Sequence, residues 1–142
     1  MKKLLYLAAL SLLSACNTST QPPSLGKALP NWSPELDEPI LLLEELLEKS
    51  QAQQDMNYLA TNLASLYDAK LWLAFQAHLD GLQGDTRNHA LEEQRQWLLQ
   101  RQKAIDEQYS PYEGGSGAPL AAARISMEMT QKRHATLRQP QP

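Results

Sequence analysis

Apolar residues recur at steps of three and four through most of the chain after residue 36, which is the period of an amphipathic helix. No segment alternates apolar and polar residues as a half-buried strand does. The pattern predicts four helices, at about residues 37–49, 53–82, 86–109 and 120–137. We therefore expect an all-α fold, an antiparallel bundle of three main helices preceded by a short leucine-rich helix.

Each predicted helix has an apolar face that we expect to point into the bundle. In the first helix, which Asp37 would cap, this face holds Ile40, Leu43 and Leu47 and is widened by Leu41, Leu42 and Leu46. The second helix contributes Met56, Leu59, Leu63, Leu66, either Leu71 or Trp72, Phe75, Leu79 and Leu82. The third, capped by Asp85 or Thr86, contributes Leu91, Trp97, Leu98, Ala104 and Ile105. The last contributes Leu120, Ala123, Met127, Thr130, His134 and Leu137.

Glycine and proline mark the ends of these helices. Gly81 and Gly84 end the second helix, and residues 110–119 include two prolines and three glycines, too many for a helix. This stretch predicts an exposed loop, in which Tyr112 is available either to contact a partner or to pack over a helix end. The other large aromatic side chains stand at helical positions and are expected in the core: Trp72, Phe75 and Trp97.

The N-terminus reads as a secretion signal. Lys2 and Lys3 precede an apolar stretch at residues 4–13, and small residues then stand directly before Cys16. We expect residues 1–15 to be removed and Cys16 to carry a diacylglyceryl group and an N-linked acyl chain such as palmitate, which together anchor a protein stably. Residues 16–36, rich in proline and polar residues, are expected to form a flexible tether to a helical domain at 37–138, with a disordered tail at 139–142.

Location and charge follow from this interpretation. Asn17, rather than aspartate, follows the cysteine, which favours the outer membrane and a domain that faces the periplasm. The whole chain has a formal net charge of −3, and removal of Lys2 and Lys3 with the signal lowers it to −5. An acidic protein is a poor ligand for nucleic acid and suits a cationic partner, although such a charge also serves ordinary solubility.

The chain offers little for catalysis. Lipidation consumes its one cysteine, and its three histidines, His78, His89 and His134, show no metal-ligand spacing. The acidic pairs at residues 44–45 and 92–93 diverge around a helix, because adjacent residues do not share a face. We therefore predict a protein that is not an enzyme and has no metal and no cofactor beyond its lipid.

Four stretches, taken in order, resemble a known family. They are Gln54-Asp55-Met56-Asn57 with Ala60, then residues 91–97 with Arg101, then Tyr112-Glu113-Gly114-Gly115-Ser116, and finally residues 129–133 with Leu137. Together they resemble the N-terminal domain of LprI-type lysozyme inhibitors over about residues 53–137. The resemblance implies a small, secreted or lipid-anchored helical domain, and the activity that names the family is inhibition of lysozyme.

The resemblance also assigns residue roles. It implies that Trp97 packs in the bundle, that Arg101 and Arg133 fix helix ends or the loop, and that Gly114-Gly115-Ser116 connects two helices. Positions that often hold cysteine in the family are apolar in this chain: Leu59, Ile105 and Ile125. The domain would therefore lack the cross-link, which contributes about 2–4 kcal/mol where it is present.

Three functions compete. The first is an envelope protein that occludes a cationic lysozyme and so protects peptidoglycan, with Tyr112, Glu113, Gly114, Gly115 and Ser116 as its binding residues. The second is a structural or assembly lipoprotein, in which the leucine-rich helix or another face of the bundle recruits an envelope protein. The third, an enzyme that acts on peptidoglycan, lacks a nucleophile or an acid–base pair. The sequence leaves the oligomeric state open.

Overall fold

The computed structural model of the protein describes residues 33–112 and 115–139, and no strand occurs among them. The helices are α1 (Asp37–Lys49), α2 (Gln53–Asp80), α3 (Gly84–Tyr109) and α4 (Ala118–Leu137), with a short 3₁₀ helix at Ser110–Tyr112. The predicted all-α bundle is confirmed. Cys16 lies outside the described residues with the signal peptide and most of the tether, as do Glu113, Gly114 and residues 140–142. No described helix is long and apolar enough to cross a membrane.

The helix starts differ from the predicted caps. Asp37 and either Asp85 or Thr86 were expected to cap α1 and α3, but the N-cap residues are Leu36 and Gln83, and neither makes a side-chain cap. The Thr86 hydroxyl instead donates to the carbonyl oxygen of Gln83, at 2.6 Å. Within α1, the Asp37 carboxylate accepts a hydrogen bond from a lysine of α2. The cap predictions are wrong because the side chains of Asp37 and Thr86 have other partners and α3 already begins at Gly84, before Asp85.

A tight turn reverses the chain between α2 and α3. Gly81 is the C-cap of α2, and Gly84 begins α3 with a φ of +54°. A side chain at that φ would meet the following carbonyl oxygen, so glycine is the residue that adopts it without strain. The predicted end of the second helix at these two glycines is confirmed.

The helices pack around α2 and α4. α4 packs extensively against both α2 and α3. Among the described helices, α1 packs extensively only against α2. The starts of α2 and α4 meet through Asn57 and Ser116, so these two helices run in the same direction. α1 runs opposite to α2, because Asp37 at its start meets Lys70 and Glu44 further along meets Tyr67.

Two apolar clusters form the core. One lies near the starts of α2 and α4 and consists of Ala60, Leu120 and Ala123, with Leu47, Met56, Ala64 and Met127 packed around them. The other lies near the α2–α3 turn and consists of Phe75, Leu79 and Ala90, with Leu82 and Leu137 around them. The inward face predicted for the last helix is confirmed, since Leu120, Ala123 and Thr130 are buried and the other three residues are half-buried.

The inward faces of α2 and α3 differ from the prediction at three positions. Leu71 is buried, whereas Trp72 is 60% exposed, so Trp72 is not a core residue. In α3 the residues that face inward are Ala90 and Gln94, while the predicted Leu91 and Leu98 are exposed. The prediction was wrong at Leu91 and Leu98 because the inner face of α3 meets polar side chains of α4, and a pattern of apolar residues does not reveal such a face.

Candidate functional site

The loop between α3 and α4 is the predicted binding segment. The structure describes the 3₁₀ helix Ser110–Tyr112 and then Gly115 to Gly117; Glu113, Gly114 and the side chain of Tyr112 lie outside the description. Gly115 and Ser116 are exposed. The loop thus brings at least two of the predicted residues to the surface, at the end of the bundle where α2 and α4 begin.

Asn57 fixes this loop to α2. Its Nδ2 donates to the carbonyl oxygen of Ser116 at 2.7 Å, and its Oδ1 accepts a hydrogen bond from Gln53 Nε2 at 2.9 Å. The second bond orients the amide for the first. Because Ser116 is held through its backbone, its hydroxyl is not needed for the anchor. Asn57 belongs to the first family-like stretch, but its role as an anchor could not be predicted because its partner lies 59 residues away in the chain.

A second polar contact joins the middle of three helices. The guanidinium of Arg101 on α3 donates to the carboxylate of Asp68 on α2 and, at 3.0 Å, to the hydroxyl of Thr130 on α4. Its central carbon lies 4.9 Å from the centre of the Trp97 ring, a cation–π distance. Thr130 is only 1% exposed. Arg101 thus spans the bundle between the two apolar clusters.

A third contact joins α3 and α4 directly. Arg133 Nε donates to Gln94 Oε1 at 3.0 Å, and Gln94 is one of the two buried polar residues of the described chain. An unpaired amide or guanidinium at such a depth would lose hydrogen bonds to water without replacement. No buried side-chain nitrogen or oxygen among the described residues lacks a partner. Gln94 and Arg133 therefore specify how α4 sits on α3.

The acidic pairs predicted to diverge do so. Glu44 accepts a hydrogen bond from Tyr67 while Glu45 pairs with Lys49. Glu92 accepts hydrogen bonds from Arg95 and Gln96, which lower its pKa to about 2, whereas Glu93 faces His89. Neither pair brings two carboxylates together, so neither resembles the acid–base arrangement of a glycosidase.

Two of the three histidines, His78 and His134, line one open groove near the start of α1. His78 lies near Phe75 with ring centres 6.5 Å apart, and His89 is exposed beside Glu93. Burial, together with Lys70 and Arg138, lowers the pKa of His134, so it favours the neutral form. Within the described ranges, no group of three or more histidine, cysteine, aspartate or glutamate side chains has the geometry of a metal site.

An open groove lies between α2 and α3, and the pattern of the sequence did not predict it. It encloses about 280 Å³, and its lining is mostly apolar: Asp68, Leu71, Trp72, Phe75, Leu91, Gln94, Arg95 and Leu98. The groove stays open because the backbones of α2 and α3 approach each other closely at few positions, although both helices pack against α4. Exposed tryptophan and arginine at a groove are typical of protein contacts.

The profile of the family described as "Lysozyme inhibitor LprI" matches residues 47–137. The chain belongs to this family. No curated protein and no solved structure matches it significantly. LprI proteins are inhibitors rather than enzymes, and the family name implies lysozyme as a protein partner.

The LprI motifs contact one another in three dimensions. Asn57 of the first stretch bonds to Ser116 of the third, Arg101 of the second bonds to Thr130 of the fourth, and Gln94 of the second bonds to Arg133 of the fourth. Much of the resemblance thus consists of polar residues that set the packing of α2, α3 and α4. These residues specify how the three helices of this LprI domain pack.

The LprI match also separates α1 from the rest. It begins at residue 47, so most of α1 precedes it, and it ends with the last residue of α4. The three positions where family members often have cysteine, Leu59, Ile105 and Ile125, are half-buried. Leu59 lies in a depression between α1 and α2, and Ile105 lies in a groove beside Pro119.

Proposed function

We propose that the protein binds lysozyme and occludes its cleft, and so protects peptidoglycan. The observation that carries this proposal is the family match, which spans all of α2, α3 and α4. The three helices form one bundle with polar contacts between the motif residues, which supports the proposal that the chain shares the family's activity.

The loop at residues 110–117 is the proposed point of entry into the cleft. Its end toward α4 is exposed yet tied to Asn57, and a loop that is held in place binds with a smaller loss of conformational entropy. Tyr112, Glu113, Gly114, Gly115 and Ser116 are the residues we propose to touch lysozyme. Lysozymes of the common animal type are basic and have two carboxylates in an open cleft, so an acidic partner gains in encounter rate.

The proposal also includes a lipid anchor at the N-terminus. A signal peptide at residues 1–15 and lipidation of Cys16 would place the domain on the envelope, in the outer membrane and facing the periplasm. There it would meet lysozyme before the enzyme reaches peptidoglycan. Metabolic labelling with an alkyne fatty acid tests this step: the wild-type protein should carry the label in the membrane fraction, and Cys16→Ser should lose it.

Inhibition is tested with the mature protein purified in mild detergent. It should slow the clearing of cell-wall suspensions by lysozyme, and the assay should cover several structural types of the enzyme. Failure against every type would overturn the proposal. Circular dichroism of each variant confirms that it is folded.

Two loop variants and one control locate the contact. Tyr112→Ala with Ser116→Ala should weaken inhibition about tenfold or more, the loss typical of a central contact residue. Ser116→Ala leaves the backbone bond to Asn57 intact, so its effect reports on the hydroxyl. Thr136→Ala removes an exposed hydroxyl at the far end of α4 and should inhibit as the wild type does.

A second function is favoured by the groove between α2 and α3. Trp72 is exposed beside this mostly apolar lining, as in surfaces that hold another protein. The protein would then be an assembly lipoprotein that recruits an envelope partner. Photo-crosslinking from position 72 in intact cells should capture one endogenous envelope protein if this is correct, and Trp72→Ala should leave lysozyme inhibition unchanged.

A further inference from the structure

The outer side of α1 exposes an apolar patch. Leu41 is 65% exposed and Leu42 and Leu46 are also exposed, and beside them Tyr58 of α2 is 70% exposed. We call these four residues the α1 face. Single exposed leucines are common on protein surfaces, but three on one short helix, with Leu46 and Tyr58 lining one depression, are typical of a contact site.

Contacts on the other side of α1 hold this face outward. Ile40 is buried, and Leu47 packs against the apolar cluster at the start of α2. Glu44 accepts a hydrogen bond from Tyr67, and Asp37 accepts one from Lys70. These four attachments recur at steps of three and four, so they define one side of the helix and fix its rotation. The leucines of the α1 face therefore cannot turn inward without breaking them.

Acidic side chains surround the leucines. α1 has five carboxylates and one lysine, a formal net charge of −4 over 13 residues. Glu38, Glu45 and Glu48 are exposed on it, and Asp55 is exposed at the start of α2. A depression of about 320 Å³ opens there between α1 and α2, lined by Leu46, Lys49, Ser50, Asp55, Tyr58 and Leu59. The face thus offers apolar contact, a recess and negative charge together.

The charge decides what covers this face. A second copy bound symmetrically would place the exposed carboxylates of Glu38, Glu45 and Glu48 against the same three of its partner, which is unfavourable at contact distance. An anionic lipid surface is repelled for the same reason. A basic protein is attracted, and its apolar side chains find the leucines and the recess.

We infer that the α1 face is a docking surface for the basic surface of lysozyme, which rests on the proposed function and extends it to a helix that lies mostly before the family match. Tyr58 follows Asn57, the residue that holds the α3–α4 loop, so the face begins next to that loop on α2. The loop and the depression at Tyr58 thus lie at the same end of the bundle, within reach of one lysozyme molecule.

Binding of lysozyme to the immobilised mature protein tests the inference through two variants. Leu42→Gln with Leu46→Gln keeps the charge and removes apolar contact; it should weaken affinity about tenfold, mainly through faster dissociation. Glu38→Gln with Glu45→Gln and Glu48→Gln keeps the leucines and should slow association about tenfold at low salt, with a flatter dependence on salt.

Matched controls separate a local effect from the overall charge. Leu99→Gln removes an exposed leucine of α3, and Glu93→Gln with Glu107→Gln and Glu128→Gln removes the same three charges elsewhere on the surface. The leucine control should bind as the wild type does, and the charge control should slow association clearly less than the α1 variant. Circular dichroism and a urea transition show that each variant is folded.

The outcomes distinguish the two proposals. If the wild type binds and inhibits lysozyme while both α1 variants match their controls, the docking surface is wrong and the proposed function stands. If the wild type binds no lysozyme, both are overturned. If sedimentation shows a wild-type dimer that Leu42→Gln with Leu46→Gln dissociates, a second copy covers the face and the inference is wrong.

Discussion

α1 and α4 both pack against α2, yet they do so in opposite ways. α4 lies against two helices, is net basic, and is held in its middle by polar contacts from Thr130 and Arg133. α1 lies against one helix, is strongly acidic, and turns its leucines outward. The helix inside the family match thus uses polar residues to specify packing, whereas the helix mostly outside it exposes apolar residues. Apolar patterning alone predicted an inward apolar face for both helices, and it was wrong for Leu41, Leu42 and Leu46 of α1.

The largest expected loss of stability comes from removing the contacts of Arg101 with Asp68 on α2 and Thr130 on α4. Arg101→Met should lower the free energy of unfolding by about 1–3 kcal/mol, because the buried hydroxyl of Thr130 then loses its partner and the half-exposed Asp68 loses its ion pair. Denaturation by urea, followed by circular dichroism, measures it. Arg95→Met is the control, since Arg95 pairs with Glu92 on the surface and is 59% exposed, against 15% for Arg101. It should lose less than about 1 kcal/mol, and equal losses would contradict the contrast.

The hydrogen bond between Tyr67 and Glu44, which attaches α1 to α2, should contribute less to stability than the contacts of Arg101 do. Tyr67→Phe removes the hydrogen bond to Glu44 and should lower the free energy of unfolding by about 1–2 kcal/mol. Tyr58→Phe changes an exposed tyrosine and should have almost no effect on the same urea transition.

The loss of stability at alkaline pH provides an independent check on the contribution of Tyr67. Burial and the bond to Glu44 raise its pKa to about 12. A raised pKa contributes stability that is present below about pH 10, the usual value of tyrosine, and that is lost as pH rises toward 12. Tyr67→Phe should lack this component, and a loss as steep as that of the wild type would show that another group is responsible.

The contact of the loop with α2 should contribute even less to the stability of the protein. Asn57→Ala removes the bond to Ser116 and should destabilise the protein by about 1 kcal/mol. If the loop enters lysozyme, the same change should weaken inhibition about fivefold through loss of preorganisation. Asn62→Ala, which removes a bond within α2 to the carbonyl oxygen of Tyr58, is the matched control. An inhibition constant unchanged by Asn57→Ala would separate the anchor from recognition.

The smallest expected effect is the pH response of His134, where α4 ends beside the start of α1. Its pKa is lowered by burial and by Lys70 and Arg138, and Asp37 partly opposes this. Since the unfolded chain binds the proton more readily, stability is present above about pH 6.5 and falls as the pH drops through the lowered pKa. Urea midpoints at pH 7.5 and 5.5 should therefore differ less in His134→Gln than in the wild type. An unchanged difference would assign the response to other groups.

The fold class could be predicted because helical periods of leucine and alanine are local signals. The inward face of α4 was predicted residue by residue, since Leu120, Ala123 and Leu137 continue one regular stripe. The face of α3 could not be predicted in this way. Its inner positions include Gln94 and Arg101, which become favourable inside only when Arg133, Asp68 and Thr130 arrive from other helices. Trp72 was misplaced for the converse reason, because its neighbour Leu71 takes the buried position.

The candidate site likewise has features that could be predicted from the sequence and features that could not. Proline and glycine at residues 110–119 mark a loop by their own conformational limits, and four ordered stretches were enough to suggest the family. Neither Asn57 as the loop's anchor nor the groove beside Trp72 was visible in the sequence, because each depends on segments tens of residues apart.

The sequence by itself determined the helices, the turns between them and the family, since backbone propensity and apolar period act within a few residues. The tertiary structure decided which polar residues lie inside, which leucines lie outside and which surface is acidic, because burial and pairing are properties of the assembled helices. The acidic leucine face of α1 is the clearest case. Its residues read as a core stripe in the sequence, and only the contacts of Glu44 and Asp37 with α2 turn them to the surface.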